Sequence, residues 1–491
     1  MSGSITFDQI PANWRVPGTY VEIRPDYSNM GLAEFPTRVL LMVQMLAAGT
    51  AAVGRTYRIT RVADAIGLFG QGSVGHHMVE AFLAANPTTE MHAIALADVG
   101  GGTQATRTVT ITGTPTVAGV AALYVAGRRV TANVTTASTP TTVAAALVAA
   151  ITANPDMPVT AANSAGVITL TARHRGEVGN EIDARMNLRI DDNTPAGLAF
   201  AIANGTAGAT NPDIATAISA VAAEWFTDIV VPWTDTTSVS ALTAELSRRY
   251  VAMTRLDMHG WIGLRGTFSA VSSRGAALNS PHLSVIGANA APQPGYVWAA
   301  SLAGVASFHL ANDPARQLRS LVLPGILAPA QAVRFIDTER DLLLRDGIST
   351  FTVAVDGSVV LERVITTYQT TTLGAPDTAW LDVMIPKVLT RIRWDWATHM
   401  ALTWPRAKLA GDNDIAAEYA ANVATPRRLH STWAARCKLY ARQGWIENVE
   451  ATLRASTFAI DGADRNRVNA LMKVQVIGNL MVLAGALEFQ A

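Results

Sequence analysis

Residues 346–404 read DGISTFTVAVDGSVVLERVITTYQTTTLGAPDTAWLDVMIPKVLTRIRWDWATHMALTW, and the fold class turns on this stretch. Residues 351–355 and 359–365 are short β-branched runs parted by Asp356-Gly357-Ser358, a turn signal that predicts a hairpin. A polar, Thr-rich crossing follows. From Ala379 the apolar residues Trp380, Val383, Met384, Val388, Ile392 and Trp396 fall at helical spacing, with Asp377 or Thr378 placed to cap the first turn. Pro386 predicts a kink in that helix.

Working upstream, the rhythm from Asn211 is helix, strand, helix, strand. Residues 212–223, 236–253 and 268–278 have helical spacing, and 227–231, 261–264 and 283–286 read as strands, with a further helix over 298–310. Such alternation predicts a largely parallel sheet flanked by helices. The runs 38–45, 57–62 and 91–98 supply strands from the N-terminal side of the same core. Between the two halves, after Val99-Gly100-Gly101-Gly102, the composition shifts to Ala, Thr, Val and Gly. Strands are predicted over 108–112, 122–126, 129–134 and 167–172, and a small helix over 142–152, before a second flexible linker at 204–208. The predicted class is therefore a multi-domain α/β protein. Its α/β core, with a largely parallel sheet, is built from N- and C-terminal parts, with an inserted β-rich domain and extended terminal arms.

Composition narrows the function. The 491 residues exceed one ordinary core, and 38 basic residues balance 38 acidic ones. At 49% hydrophobic and 15% charged, the chain suits extensive contact with copies of itself, and no basic bias points to nucleic acid. The start of the chain lacks the basic and apolar blocks of a signal peptide. The apolar tract 474–489 is interrupted by Gln475, Asn479 and Glu488, so it predicts one or two buried strands rather than a membrane anchor.

No motif commits the chain to chemistry. A single cysteine, Cys437, excludes an internal disulfide and reads as a half-buried structural thiol in a helix. The glycine-rich turn 69–75 opens a helix as phosphate loops do, but no Lys-Ser/Thr follows and the fingerprint is incomplete. His76 and His77 are adjacent on a helix and point about 100° apart, which predicts packing rather than metal ligation. Asp235, Asp257, His259, His282 and His309 lie near predicted element ends, yet none falls in a nucleophile elbow, and Ser284 lacks the flanking glycines. No catalytic, cofactor or metal residue is assigned.

Two further regions stand out. Residues 20–24 alternate Tyr, Val, Glu, Ile, Arg, a lone strand that must pair with a sheet in this subunit or in a neighbour. Near the other end Arg427, Arg428, Arg436, Lys438, Arg442 and Arg454 surround Trp433, Tyr440 and Trp445 on a predicted helix, either a solvated face or a grip for phosphates.

The run LLLRDGIST, the Gly-turn hairpin, ERVITTY and the Trp-rich helix together resemble the core of contractile tail sheath proteins, especially those of Mu-like bacteriophages. NDPARQLRSLVLPGILAP (312–329) resembles that family's linker. VPGTYVEIRP (16–25) and ADAIGLFGQGSVGHHMVEAFLAANP (63–87) resemble its N-terminal arm and first core helix, and DRNRVNALMKVQVIGNLMVLAGALEFQ its C-terminal arm. The resemblance touches both ends and the middle in order, and is weakest over 100–208.

It implies a division into an N-terminal arm (1–37), two core parts (38–98 and 209–345) separated by an outward-facing insert (99–208), a C-terminal sheath domain (346–470) and a C-terminal arm (471–491). It also implies a structural, non-enzymatic subunit that polymerises helically around a tail tube and contracts to drive the tube through a host envelope. Tyr20, Val21, Ile23, Val474, Val476, Leu480 and Val482 would exchange strands between subunits. Arg427, Arg428, Arg436, Lys438 and Arg442 would face an acidic tube. Further implied partners are the baseplate and tail terminator proteins, with neither nucleic acid nor membrane, and the place is the virion tail after assembly in the host cytoplasm. A bacteriocin or secretion-system sheath shares this pattern. An α/β hydrolase-like enzyme is the alternative from another class, and a capsid or baseplate protein a third.

Overall fold

The structure is a computed structural model and describes residues 9–11, 13–22 and 31–490. It divides into two compact units, one formed by 36–391 with 476–490, the other by the described residues up to Phe35 with Ile392–Gln475.

In the larger unit the chain enters through β1 (Arg38–Met45), β2 (Thr56–Ile59), α1 (Val62–Phe69), α2 (Val74–Ala85) and β3 (Glu90–Ala97). A β-rich excursion follows: β4 (Gln104–Gly113), β5 (Gly119–Val125), β6 (Arg128–Val134), α3 (Pro140–Ala153), β7 (Val159–Ser164), β8 (Val167–Arg175), β9 (Ala184–Met186) and β10 (Leu198–Asn204). The chain then returns through α4 (Ala215–Ala220), β11 (Asp228–Val230), α5 (Thr236–Tyr250), β12 (His259–Leu264), α6 (Phe268–Ala276), β13 (Leu283–Gly287), α7 (Gly295–Asn312), α8 (Asp337–Arg345), β14 (Ile348–Val353) and β15 (Val359–Arg363).

The main sheet has the order β15-β14-β13-β12-β11-β1-β3-β2. Its six inner strands run parallel, and an antiparallel strand closes each edge. This is the α/β class with a largely parallel sheet. Burial on both faces explains why the inner strands read as continuous apolar runs: from Val39 to Val43 every residue of β1 is fully buried. The helix α7 is apolar nearly all round, GYVWAASLAGVASFHLAN, because it too is enclosed. Gly304 lets α2 approach it, since a Cβ there would stand 2.8 Å from Ala85 Cβ and 3.0 Å from Phe82 O.

The excursion forms a four-stranded sheet, β10-β4-β8-β7, and a three-stranded one, β6-β5-β9, around its own apolar cluster that includes Val109, Ile111, Leu123, Leu147, Ile168 and Leu170. Its junction with the parallel-sheet body is polar. Asp98 accepts from Gln44 Nε2 at 2.7 Å and pairs with His174 Nδ1 at 2.7 Å. Arg265 pairs with Asp183 at 2.6 Å, and Glu181 accepts from Gly295 N at 2.7 Å.

α9 (Met384–Thr403) begins in the larger unit and ends in the smaller. It starts at Met384, five residues after the point where helical spacing begins. Residues 365–382 instead make bridges and turns, including the pair Ile365↔Asp382. Pro386 therefore sits in the first turn, where its missing N–H and fixed φ are tolerated, rather than in a kinked interior. The smaller unit continues with β16 (Lys408–Leu409), α10 (Ile415–Tyr419), β17 (Val423–Ala424), α11 (Pro426–Arg442), β18 (Ile446–Glu447), α12 (Val449–Ala455), β19 (Thr457–Ile460), β20 (Val468–Leu471) and β21 (Gln475–Val476). Among the described residues its strands pair only two by two: β16 with β17, β18 with β21, and β19 with β20.

Candidate assembly surfaces

The enzyme alternative meets its hardest test at the start of the parallel strands. His259 Nε2 lies 2.9 Å from Ser284 Oγ, and Asp228 begins the neighbouring strand, so serine, histidine and aspartate do come together. They lie at the amino ends of β11, β12 and β13, whereas doubly wound sheets bind ligands at the carboxyl ends. Ser284 is fully buried, and burial holds the His259 imidazole well below its usual pKa. Asp228 is turned away from histidine, accepting from Trp261 Nε1 at 2.8 Å and pairing with Lys387 Nζ at 2.6 Å. These groups fasten the strand ends and the start of α9. Of the others, Asp235 caps α5 by accepting from Ser238 N, the His282 ring packs on Tyr250 at 4.1 Å, and His309 lies in the last turn of α7.

The glycine-rich turn has an equally structural use. Gly72 has φ +76°, and a Cβ there would meet Met157 O at 2.6 Å, so glycine lets the β-rich excursion approach. The N–H groups that would cradle a phosphate are taken: Gly72 N donates to His76 Nδ1 at 3.1 Å and Val74 N to His174 Nε2 at 3.1 Å. His77 is buried and bonds Asp156 O at 2.8 Å. Cys437 is fully buried rather than half-buried, and desolvation pushes its thiol up to about 12.

The terminal segments behave differently from everything in the sheet. Residues 20–22 form no strand. Tyr20 and Val21 are exposed, Tyr20 meets Trp14 edge-on at 6.1 Å, and Ile23 lies outside the described residues. At the other end the expected buried strands shrink to Gln475–Val476, with Gln475 bonding Glu447 and Asn448. Val474 precedes this strand, and both it and Val476 are half-buried. Beyond it Leu480 and Val482 are exposed, as are Leu483, Leu487 and Phe489. The physical reason is the lack of a ladder among the described residues: an apolar strand is buried only where another strand satisfies its backbone.

The basic helix α11 sorts its charges by face. Leu429, Trp433, Arg436, Cys437 and Tyr440 share the buried face. Arg436 is 2% exposed, donates from Nε to Asp395 Oδ2 at 2.9 Å and joins Tyr440, whose hydroxyl donates to the same carboxylate at 2.6 Å. It is an interior residue, removed from the predicted outward set because a guanidinium at this helical position must be paired to be buried. Arg427, Lys438 and Arg442 lie on the opposite, exposed face. Arg428 is also exposed, but its guanidinium donates to Val423 O and Ala417 O at 2.6 Å each. Asp395, Gln317 and Arg319 carry no sequence signal for their roles; only the folded chain brings them to their partners.

Among the described residues no group of side chains could hold a metal ion, and no helix is long and apolar enough to cross a membrane. The buried Ser-His pair and the filled glycine-rich turn hold the fold together, as in a structural protein, and the exposed apolar residues beyond β21 join no ladder among the described residues. Comparison with known proteins agrees: residues 207–367 match the phage tail sheath protein central domain. The chain is 34% identical over 486 residues to the Mu-like prophage FluMu tail sheath protein of Haemophilus influenzae, covering 99% of each. The chain therefore belongs to the tail sheath protein family and is a structural subunit of a phage tail sheath, not an enzyme. Solved structures with lesser likeness include the sheath tail protein of Desulfitobacterium hafniense (13% identity, TM-score 0.48, 94% of this chain and 100% of that one). Another is the contracted helical sheath of the anti-feeding prophage (13% identity, TM-score 0.48, 97% of this chain and 99% of that one).

Proposed function

We propose that copies of this chain polymerise helically around a tail tube by exchanging terminal strands, and that contraction of this mesh drives the tube through the host envelope. The observation that carries the proposal is the exposed, apolar, strand-forming character of Tyr20 and Val21 and of the residues beyond β21, which join no ladder among the described residues. Tyr20, Val21 and Ile23 at one end, with Val474, Val476, Leu480 and Val482 at the other, are the donated residues. The hairpin β19–β20 is a sheet with no third strand among the described residues, and such a ribbon gains stability from one. Identical subunits joined head to tail in this way form an open helix when the rotation between neighbours does not close a ring.

The exposed face of α11, with Arg427, Arg428, Lys438 and Arg442, is the surface for an acidic tube wall. Contraction moves the α/β bodies as near-rigid pieces while the exchanged strands keep neighbours joined. The drive comes from new interfaces that form between those bodies in the contracted lattice, without nucleotide hydrolysis. Baseplate and terminator proteins bound the two ends of the polymer, and assembly takes place in the host cytoplasm.

Negative-stain electron microscopy tests this with the full chain beside a version lacking 476–491, which leaves β19–β20 intact. Tubes from the full chain and monomers from the truncation are expected. A full chain that stays small even with tube and baseplate proteins present would sink the proposal.

A further inference from the structure

The outer edge of β15 is not bare. Residues 320–323 lie along it through the bridge Val322↔Val360 and three backbone bonds: Ser320 N donates to Leu361 O at 2.9 Å, Leu361 N to Leu321 O at 2.8 Å and Leu323 N to Val359 O at 2.9 Å. Just before this segment, Gln317 Nε2 donates to Leu480 O at 3.2 Å, and Arg319 Nη1 to Met481 O at 3.0 Å. Met481 packs against the main apolar core. The C-terminal arm is thus held against its own subunit at two successive carbonyls, while Val482, Leu483, Leu487 and Phe489 stay exposed.

We infer that this contact is an autoinhibitory latch: in the unassembled subunit Gln317 and Arg319 park the C-terminal arm on the segment that leads into its own sheet edge, and the arm must be released before a neighbour can receive it. The inference rests on the strand-exchange reading above. Its logic is competition for the same atoms. Consecutive carbonyls of a strand point to opposite sides, so pairing with one neighbour takes one of the Leu480 and Met481 carbonyls, and a donated arm cannot keep both bonds to Gln317 and Arg319. The hold is also weak. Two side-chain bonds near the surface and one methionine are readily displaced by a full strand ladder on a neighbour, and Gln317 Oε1 is buried without a donor, so the parked state leaves a polar group unsatisfied. A subunit of this kind keeps its sticky strand occupied at low concentration and surrenders it when a growing end offers a better edge.

The test compares the full chain with the double variant Gln317→Ala/Arg319→Ala. In dilute monomer, chymotryptic cleavage after Leu480 and Met481 is expected to run severalfold faster in the variant. Its polymerisation, followed by light scattering, should start after a shorter lag and at a severalfold lower concentration. Arg319→Lys keeps a donor and should behave nearly as the parent chain, and thermal melting of each variant confirms that it folds. Equal cleavage rates in parent and double variant would overturn the latch, whether or not the subunit polymerises alone.

The two readings fail separately. If the chain lacking 476–491 forms tubes as readily as the full chain, strand exchange by this arm is wrong. If that deletion blocks tubes but the double variant is neither cleaved nor assembled faster, only the latch is wrong. A short bis-maleimide across Gln317→Cys and Leu480→Cys should give an intrachain bridge at monomer dilution and a subunit unable to join tubes. A bridge formed only between chains would show that the arm of a second copy occupies this edge, which also overturns the latch.

Discussion

β1 and the C-terminal arm are written in the same residues and end in opposite surroundings. RVLLMVQM in β1 is paired along its whole length with β3, from Arg38↔Glu90 to Met45↔Ala97, and on its other side with β11. LMVLAGALEF in the arm accepts side-chain donors at the carbonyls of Leu480 and Met481 but has no ladder among the described residues, and Val482 is 80% and Leu487 96% exposed. Strand-forming residues are the same signal in both places; what differs is whether the chain itself supplies the second strand. In the strand exchange proposed above a neighbour supplies that second strand, and the arm, a surface in the monomer, would become an interior element of the assembly.

The largest expected effect tests this contrast directly. Val482→Ser/Leu483→Ser should abolish tubes in electron micrographs while leaving the urea midpoint of the monomer unchanged. Leu41→Ala in β1 should cost about 2–5 kcal/mol of folding stability by the same urea titration. If the arm substitutions lower the midpoint as Leu41→Ala does, the arm is part of the monomer's core and the contrast is false.

A second contrast lies within α11, between its two cationic faces. Arg436→Ala leaves the Asp395 carboxylate buried with only its neutral partners, among them Tyr440 OH and Ala33 N at 2.8 Å. The expected loss is about 3–5 kcal/mol, read as a lower melting transition. Arg427→Glu/Lys438→Glu/Arg442→Glu on the exposed face should leave melting unchanged and weaken tube binding about tenfold at low salt, a difference that fades as salt is added. Co-sedimentation with the tube protein at two ionic strengths measures both. A melting loss from the exposed-face variant would mean that its charges are structural too.

The sequence made the parallel core legible because buried strands and amphipathic helices write their partners into one chain: runs such as 38–45 and 283–286 fall within one residue of β1 and β13. The basic helix was equally visible, but its facing was not. Arg436 looks like Lys438 on paper, and only the position of Asp395 on α9, 41 residues away, decides which is inside. The strands β7, β9 and β10 escaped notice because Thr, Ala and Asn at half-exposed positions carry little periodic contrast. Helix spacing from Ala379 misled because turn and bridge residues before Met384 happen to share the apolar period. The C-terminal tract 474–489 was read as one or two buried strands and is mostly exposed, since composition records what a segment prefers and not who provides the partner.

The smallest effect sharpens the comparison at the junction between the β-rich excursion and the sheet body, an interface that is completed inside one chain. Glu181 turns its carboxylate onto the N-terminus of α7, accepting from Gly295 N. Desolvation raises its pKa to about 7, outweighing the backbone N–H groups of Gly295 and Tyr296 and the charge of Arg265. The sign follows from proton counts. Between the unfolded value near 4.5 and the folded value, the folded chain keeps a proton that the unfolded chain has released. Stability therefore falls as pH rises through that window and levels off above it. Glu181→Gln removes this slope. Between about pH 5 and about pH 8 the parent should lose up to about 3 kcal/mol more than the variant, read from urea midpoints at each pH. If the parent instead gains stability over that range relative to Glu181→Gln, the helix N-terminus outweighs desolvation and the junction is held by an ionised carboxylate. It would then be a charge-locked seam, which sets it further apart from the arm, where hydrogen bonds at two neutral carbonyls and one packed methionine hold the chain.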